Sequence, residues 1–328
     1  MLAIDGPDPQ LDLVREALLR ADPTAERWGR VFRRSFDQIY DGVHTGRYSI
    51  DQLSKTEKAH LGSVVEIAIR REFDDVIEDG DRLDYKIGGV DVDCKFSIAY
   101  SWMIPPEADG QILLIVTAND PDCEFAVGLI RASGSNLTSS VNRDRKRQIS
   151  KFGRGAIDWL WHGELLPPNV LLELEDDERE RIFAGRSGQQ RVNELFRIAQ
   201  GRRVSRNVVA TVAQQHDYMK RVRANGGART ALAADGIAIF VGDYRPQRRA
   251  AEALGLPVPL AGEFVSARLT PAEPDDPNVV ELGGSAWRQW TPGDGEPKPL
   301  PPTKGNRAID RDAQGHWPTL LTAIDPVG

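Results

Sequence analysis

Arg82-Leu-Asp-Tyr-Lys-Ile-Gly-Gly-Val-Asp-Val-Asp-Cys-Lys-Phe-Ser-Ile98 is the stretch of sequence that decides the fold. Its Gly88-Gly89 pair separates two runs of alternating residues, which is typical of a β-hairpin with a two-residue primed turn. That turn sets a register in which Asp84 lies directly opposite Asp93. Because like charges in opposite positions destabilise a sheet, this pairing indicates a cation between the two carboxylates.

Alternation along the hairpin predicts one apolar and one charged face, since neighbouring side chains of a strand point in opposite directions. The apolar face holds Val90, Val92, Cys94 and Phe96, and the charged face holds Asp84, Lys86, Asp91, Asp93 and Lys95. Two carboxylates followed by a lysine are typical of Mg²⁺-dependent phosphodiester cleavage. The carboxylates and the Cys94 carbonyl would hold the hard cation, and Lys95 would orient the attacking water. The alternative is a solvated face with ordinary charge alternation.

A second element supports the metal-site interpretation. Ser54-Lys55-Thr56-Glu57 predicts a capping box that opens a helix running to about Phe73. The helix is apolar nearly all round, so we expect it to be buried, and Glu66 is the one formal charge between Ala59 and Ile69. A carboxylate in such surroundings needs a partner. We expect Glu66 to join the metal cluster; an ion pair with a neighbouring arginine is the alternative.

Composition describes a soluble globular protein long enough for two domains. The chain has 328 residues, of which 40% are hydrophobic and 28% charged. It has neither an apolar run of membrane-spanning length nor a signal-peptide pattern at its start, and its two cysteines lack metal-ligand spacing. We therefore expect a cytoplasmic protein with no membrane partner. The net charge of −7 alone argues against a nucleic-acid partner, but Arg202–Arg229 carries seven Lys/Arg against one acid.

The order of predicted elements favours an α/β fold with a mixed sheet flanked by helices. We predict helices at Leu11–Arg20 and Glu26–Tyr40, strands at Gln111–Thr117 and Glu124–Arg131, and a short helical stretch ending near Trp161. The predicted domains are an endonuclease domain over 1–165, a linker over 166–186 and a DNA-binding domain with a proline-rich tail over 187–328.

The predicted second domain has the layout of a winged helix-turn-helix. A helix over Arg206–Gln214, capped by Ser205, is followed by a basic helix over Asp217–Asn225 that would enter the major groove. A strand over Gly236–Val241 could then form a wing. The candidate DNA-binding residues are Arg206, Lys220, Arg221, Arg223 and Arg229.

Several longer strings resemble the NaeI restriction endonuclease family. They are Asp51-Gln-Leu-Ser-Lys-Thr-Glu-Lys58, Val65-Glu66-Ile67, Val92-Asp-Cys-Lys-Phe-Ser97, Arg191-Val-Asn-Glu-Leu-Phe196, Ala210-Thr-Val-Ala-Gln-Gln215 and Met219-Lys-Arg-Val-Arg223. The similarity spans roughly Asp12 to Pro274 and keeps the same order throughout.

The resemblance implies a type IIE enzyme that needs Mg²⁺, acts as a homodimer and cuts the palindrome GCCGGC. It implies an N-terminal restriction-endonuclease core that cuts and a C-terminal winged-helix domain that binds a second DNA copy as effector. Its catalytic set corresponds to Glu66, Asp84, Asp93 and Lys95. The alternatives are a non-catalytic winged-helix regulator with a vestigial nuclease domain, and a nicking or repair endonuclease.

Overall fold

The computed structural model describes residues 7–301 of the chain. The chain divides into two compact units. The first comprises Ser49–Pro168 together with the chain up to Tyr40, and the second comprises Asp41–Tyr48 together with the chain from Asn169 onward. The second unit is therefore discontinuous in sequence.

The helices and strands are numbered in chain order. The α-helices of the described residues are α1 (Pro9–Ala21), α2 (Glu26–Tyr40), α3 (Gly42–Thr45), α4 (Lys55–Glu72), α5 (Lys151–Gly155), α6 (Val170–Glu173), α7 (Asp176–Phe183), α8 (Gly188–Ile198), α9 (Arg206–Ala213), α10 (Ala228–Ala233) and α11 (Arg245–Ala253). The strands are β1 (Ile77–Asp79), β2 (Tyr85–Ile87), β3 (Val90–Ser97), β4 (Met103–Ile104), β5 (Ile112–Asn119), β6 (Glu124–Arg131), β7 (Arg147–Gln148), β8 (Asp158–Leu165), β9 (Arg203–Ser205), β10 (Ile237–Val241), β11 (Glu263–Pro271), β12 (Val280–Leu282) and β13 (Ser285–Gln289).

The first unit is built on a six-stranded sheet in the order β1-β2-β3-β5-β6-β8. β3 and β5 run parallel and the other neighbours run antiparallel, which confirms the predicted mixed sheet. Helices α1, α2 and α4 pack on one face through a core that includes Trp28, Phe32 and Leu61. A smaller cluster around Trp102 and Ile104 covers the other face. The large sheet flanked by helices is consistent with a nuclease core.

Strand β3 separates its apolar and charged residues as predicted. The four residues of the apolar face all pack in the helix-side core: Val90, Val92, Cys94 and Phe96. On the other face Asp93 is aligned with Leu113 of β5 and Lys95 with Ile115, and both partners belong to the smaller cluster. The charged residues of β3 therefore lie on the face opposite the helices.

A buried charged network joins the end of α2 to the turn between β5 and β6. Asp120 is 3% exposed, accepts the Tyr40 hydroxyl at 2.7 Å and is bound by the Arg33 guanidinium. Arg33 also pairs with Asp37 at 3.0 Å. Burial alone would lower the pKa of Arg33, but the carboxylates of Asp37 and Asp120 outweigh burial and raise it. The network keeps a charged guanidinium paired in the protein interior.

Two predictions for the end of the first unit are wrong. The predicted helical stretch ending near Trp161 stops at Gly155, because residues 158–165 form the edge strand β8. Trp159 is aligned with Gly128 of β6, where a Cβ would lie only 2.8 Å from the Trp159 ring. The segment 166–186, predicted to be a linker, instead forms α6 and α7, and their Val170, Leu171 and Ile182 are fully buried in the second unit's core. Apolar residues on either side of the acidic run explain this folding.

The second unit contains a sheet in the order β10-β11-β13-β12, with β9 paired to the other end of β11. Helices α8, α9 and α10 pack into its larger core. Ser205 caps α9 as predicted, its side chain accepting the Val208 N–H. Helix α3 lies against α9 so closely that a Cβ on Gly42 would clash with Thr211. The segment Asp41–Tyr48 is therefore a packed part of this unit.

The basic helix predicted over Asp217–Asn225 is wrong. The chain forms a single 3-10 turn at Tyr218–Arg221, and the next α-helix, α10, begins at Ala228. Gly227 is not a helix stop but the residue before α10, and a Cβ there would lie 2.3 Å from the Arg223 carbonyl oxygen. The backbone thus doubles back where continuous helix was expected. The predicted proline-rich tail includes the paired strands β12 and β13, and its part from 302 onward lies outside the described residues.

Candidate active site

The turn between β2 and β3 sets the register of the site. Gly88 and Gly89 have φ angles of 57° and 80°, the left-handed region that a primed turn requires. The strands pair through Ile87 with Val90, Lys86 with Asp91 and Tyr85 with Val92. This pairing confirms the register predicted from the two glycines.

Beyond Tyr85 the main-chain pairing ends and the Asp84 side chain replaces it. The Cys94 N–H donates to Asp84 Oδ2 at 2.8 Å, so a carboxylate satisfies the edge of β3 where β2 no longer reaches. The Asp84 carboxylate is thereby held beside Asp93, as the hairpin predicted. The two predicted acids meet at an open strand edge.

The Lys95 ammonium lies among the oxygens predicted to bind metal. Its Nζ atom is 2.7 Å from Asp93 Oδ2, 2.8 Å from the Cys94 carbonyl oxygen and 3.4 Å from Asp84 Oδ2. Asp93 is 4% exposed, so its charge needs a cationic partner. In this arrangement Lys95 supplies the positive charge that the paired carboxylates require.

The site perturbs the protonation of both partners. Burial raises the pKa of Asp93 to about 6; the charge of Lys95 opposes the rise and that of Asp84 adds to it. Burial alone would lower the pKa of Lys95, but Asp93 and Asp84 raise it above its ordinary value. Lys95 is therefore a cation at neutral pH, able to donate hydrogen bonds but not to accept a proton.

Glu66 joins this electrostatic cluster from α4. Burial, and then the charges of Asp84 and Asp93, raise the pKa of Glu66, while Lys95 lowers it. Within residues 7–301 Glu66 forms no ion pair with the neighbouring arginines, and Arg70 instead binds Asp79 at 2.8 Å. The predicted partnership of Glu66 with the acids is thus favoured over the arginine alternative.

Helix α4 begins as predicted but is not buried all round. Ser54 and Glu57 form the reciprocal capping box, with hydrogen bonds of 3.3 and 2.8 Å. Its buried side chains form one stripe, Leu61, Val64, Val65 and Ile69, whereas Ile67 is 47% exposed. The expectation of complete burial was wrong because only one side of the helix faces the core.

The donor set of the site fits Mg²⁺, which prefers carboxylate and carbonyl oxygens. The donors are the carboxylates of Asp84, Asp93 and Glu66 and the Cys94 carbonyl. Among residues 7–301 no three acidic, histidine or cysteine side chains are spaced to hold a metal ion as they stand. The oxygen donors therefore suit Mg²⁺ chemically, but the side chains of the described residues are not already arranged around a metal position.

The predicted DNA-binding residues do not form one helix face. Arg206 starts α9 and pairs with Asp243, while Lys220 and Arg221 lie on the 3-10 turn and approach Asp217 at 3.4 and 3.5 Å. Arg229 lies on α10 and reaches Gln247 at 3.3 Å. Of the five, only Arg223 is exposed without a side-chain partner among the described residues. Among these partners only Asp243 is an acid from outside Arg202–Arg229, since Asp217 already counts in the charge of that stretch and Gln247 is neutral.

A mixed sheet flanked by helices, with two carboxylates and a lysine at an open strand edge, is the arrangement expected of a DNA-cleaving nuclease. The family model described as "Restriction endonuclease NaeI" matches residues 12–297. The chain is also 46% identical over 298 residues to "Type II restriction enzyme NaeI" of Lentzea aerocolonigenes, covering 88% of this chain and 92% of that protein. The chain belongs to the NaeI restriction endonuclease family. None of the helices within residues 7–301 combines the length and apolarity needed to cross a membrane.

Proposed function

We propose that this protein is a Mg²⁺-dependent type II restriction endonuclease that hydrolyses double-stranded DNA and leaves 5′-phosphate ends. By family resemblance its site is the palindrome GCCGGC. The observation that carries the proposal is the meeting of Asp84, Asp93 and Lys95 at the open edge of β3, with Glu66 coupled to them electrostatically. A cytoplasmic location, expected from composition, accompanies this proposal.

The proposed metal-binding residues are Asp84, Asp93, Glu66 and the Cys94 carbonyl. Mg²⁺ bound there would polarise the scissile phosphate and offset the charge that develops on it. Asp84 also accepts a hydrogen bond from the Cys94 N–H. The carboxylate that would bind the cation therefore also fixes β3, the strand that carries the Cys94 carbonyl. The binding groups are therefore positioned by the strand edge itself.

Lys95 has a role that its charge dictates. Because its pKa is raised, the ammonium remains protonated and can donate hydrogen bonds to an attacking water and to a phosphate oxygen. It cannot act as the general base while it carries that proton. Its position among the Asp93, Asp84 and Cys94 oxygens means that a bound cation would take over their charge and release Lys95 toward the substrate.

Plasmid cleavage with variants of the two acids tests this function. Asp84→Ala and Asp93→Ala should each abolish linearisation of a plasmid in Mg²⁺ while leaving DNA binding intact, since neither carboxylate is needed to attract DNA. Glu78→Ala is the matched control, an exposed acid on the neighbouring strand β1. Near wild-type cutting by either active-site variant would show that the hairpin is not the active site. If the wild-type protein bound DNA but did not cut it in Mg²⁺, the alternative of a non-catalytic DNA-binding regulator would be favoured.

The second unit supports a proposal of its own, a winged-helix domain that binds a second DNA copy as effector. Helix α8, strand β9, helices α9 and α10, and strands β10 and β11 occur in the order of a winged helix, with helix α11 inserted between the last two strands. β11 pairs antiparallel with both β9 and β10, and this pairing supports the proposal. A two-fold symmetric site on DNA also favours a homodimer.

Removing the charges of Lys220, Arg221 and Arg223 together tests the effector role. For each phosphate that the variant no longer neutralises, the logarithmic slope of DNA binding against salt should flatten by about 0.9. Basal cleavage of a single-site plasmid should survive, while stimulation by an added cognate duplex should disappear. Equal stimulation of the wild type and the triple variant would remove this role from the basic segment.

A further inference from the structure

Tyr85 connects two of the acidic residues through the protein interior. It follows Asp84 directly, is aligned with Val92 of β3 and is 1% exposed. Its hydroxyl donates a hydrogen bond of 2.6 Å to the main-chain carbonyl of Glu66. Tyr85, the residue after Asp84, is thus hydrogen-bonded to the main chain of Glu66.

This hydrogen bond is additional to the bonding that the helix needs. Glu66 lies in the middle of α4, where its carbonyl accepts the N–H four residues further along the helix. The Tyr85 hydroxyl therefore does not complete the helix. It fixes instead the separation between α4 and strand β2, which begins directly after Asp84, because the phenol ring is a rigid spacer between them.

A fixed separation has a purpose at this position. Glu66 belongs to α4 and Asp84 and Asp93 to the hairpin, so a cation bound by all three acids needs the two elements to stay side by side. The apolar core that the helix and the hairpin share packs them together, and the Tyr85 hydrogen bond adds a directional link between them. The Tyr85 bond lies on the buried side of the hairpin and acts on the main chain, so the carboxylate oxygens stay free to bind.

We propose that Tyr85 is a positioning residue that keeps the main chain of Glu66 beside the hairpin, so that Glu66 and Asp84 can come together on a divalent cation. The inference rests on the proposed metal-dependent function and adds to it a residue that does not itself contact metal or DNA. Its hydroxyl should matter for metal affinity more than for the stability of the fold.

The test compares two tyrosine-to-phenylalanine variants of the full-length protein. Tyr85→Phe removes the proposed tether, and Tyr40→Phe removes an equally buried hydroxyl that binds Asp120 at 2.7 Å in the same unit. Ca²⁺ is titrated into each protein by calorimetry, and the Mg²⁺ dependence of plasmid cleavage and the melting temperature are measured in parallel. Asp93→Asn serves as the reference for loss of the metal site.

We expect Tyr85→Phe to bind Ca²⁺ roughly threefold to tenfold more weakly, the effect of losing one hydrogen bond, and to recover most of its rate at high Mg²⁺. Tyr40→Phe should lose melting temperature without any change in metal affinity. Unchanged Ca²⁺ affinity in Tyr85→Phe, or an equal loss of affinity in both variants, would refute the proposed role of Tyr85. Neither result would contradict the proposed nuclease function. If the wild type bound no Ca²⁺ in an Asp93-dependent manner and cut no DNA, both this role and the proposed function would fall.

Discussion

Replacing Asp93 with asparagine is expected to stabilise the metal-free protein while abolishing cleavage. Burial raises the pKa of Asp93 from 3.8 to about 6. A carboxyl group whose pKa is raised by folding contributes stability below its unfolded pKa, and this contribution is lost as the pH rises through the folded value. Wild type therefore loses stability between about pH 4 and pH 6. The asparagine side chain cannot ionise, so the Asp93→Asn variant avoids this loss.

The magnitude follows from the difference between the two pKa values. A shift of about two units corresponds to roughly 3 kcal/mol at most, and it already includes the attraction of Lys95. Because Asp93 is 4% exposed, solvent screening removes little of this energy. For a unit of this size, about 1 kcal/mol shifts the melting temperature by roughly 2–4 °C. The variant should thus melt several degrees higher at pH 8.

Calorimetric melting in EDTA across pH 4 to 8 measures this difference directly. The gap between Asp93→Asn and wild type should be small at pH 4, widen up to about pH 6 and then level off. Glu78→Gln, the same chemical change on an exposed acid of β1, should show a small and flat difference. A gap that is flat with pH, or a variant that becomes less stable than wild type as the pH rises, would contradict the reasoning. Added Ca²⁺ should raise the melting temperature of wild type only.

Two further predictions concern charged side chains of the first unit. Lys95→Ala should lower the cleavage rate by roughly 10²-fold or more without weakening Ca²⁺ binding, because Lys95 is a charge partner and not a ligand. Lys86→Ala on the same hairpin is the control. Full recovery of the Lys95→Ala cleavage rate with more Mg²⁺ would show the assignment to be wrong. Asp120→Asn should destabilise the first unit by about 3–5 kcal/mol in denaturant unfolding, because it leaves the buried Arg33 guanidinium undercompensated; a cost below about 1 kcal/mol would mean that Asp37 suffices.

The site was predictable where local chemistry alone decides the structure. Gly88 and Gly89 tolerate the positive φ angles that a primed turn requires, and that turn fixes the strand register that brings Asp84 to Asp93. Ser54 and Glu57 likewise define the start of α4 through hydrogen bonds between residues close in sequence. The Tyr85 hydrogen bond to Glu66 was missed, because alternation places Tyr85 on the apolar face without indicating what its hydroxyl meets.

The sequence was a poorer guide where distant interactions override local preference. Residues 217–225 contain helix-favouring side chains, yet the tight turn before α10 lets Ala228 and Leu232 reach the core, and that burial outweighs the local preference. Trp159 is a strand residue because Gly128, on the neighbouring strand, leaves space for its ring. Such partners are not visible within the segment being predicted.

The segment Asp41–Tyr48 has a consequence for how this chain is made and inherited. It leaves the ribosome early, but its packing partners on α9 emerge only after the whole of Ser49–Pro168 has been synthesised. The first unit can thus begin to fold while the second still waits for most of its chain. A single crossover in the gene between the codons for Tyr48 and Asn169 would take the two parts of the second unit from different parental genes. Because these parts pack against each other, such a recombinant could combine side chains that do not fit. Genes in which the two units come from one parent would therefore be favoured over such recombinants.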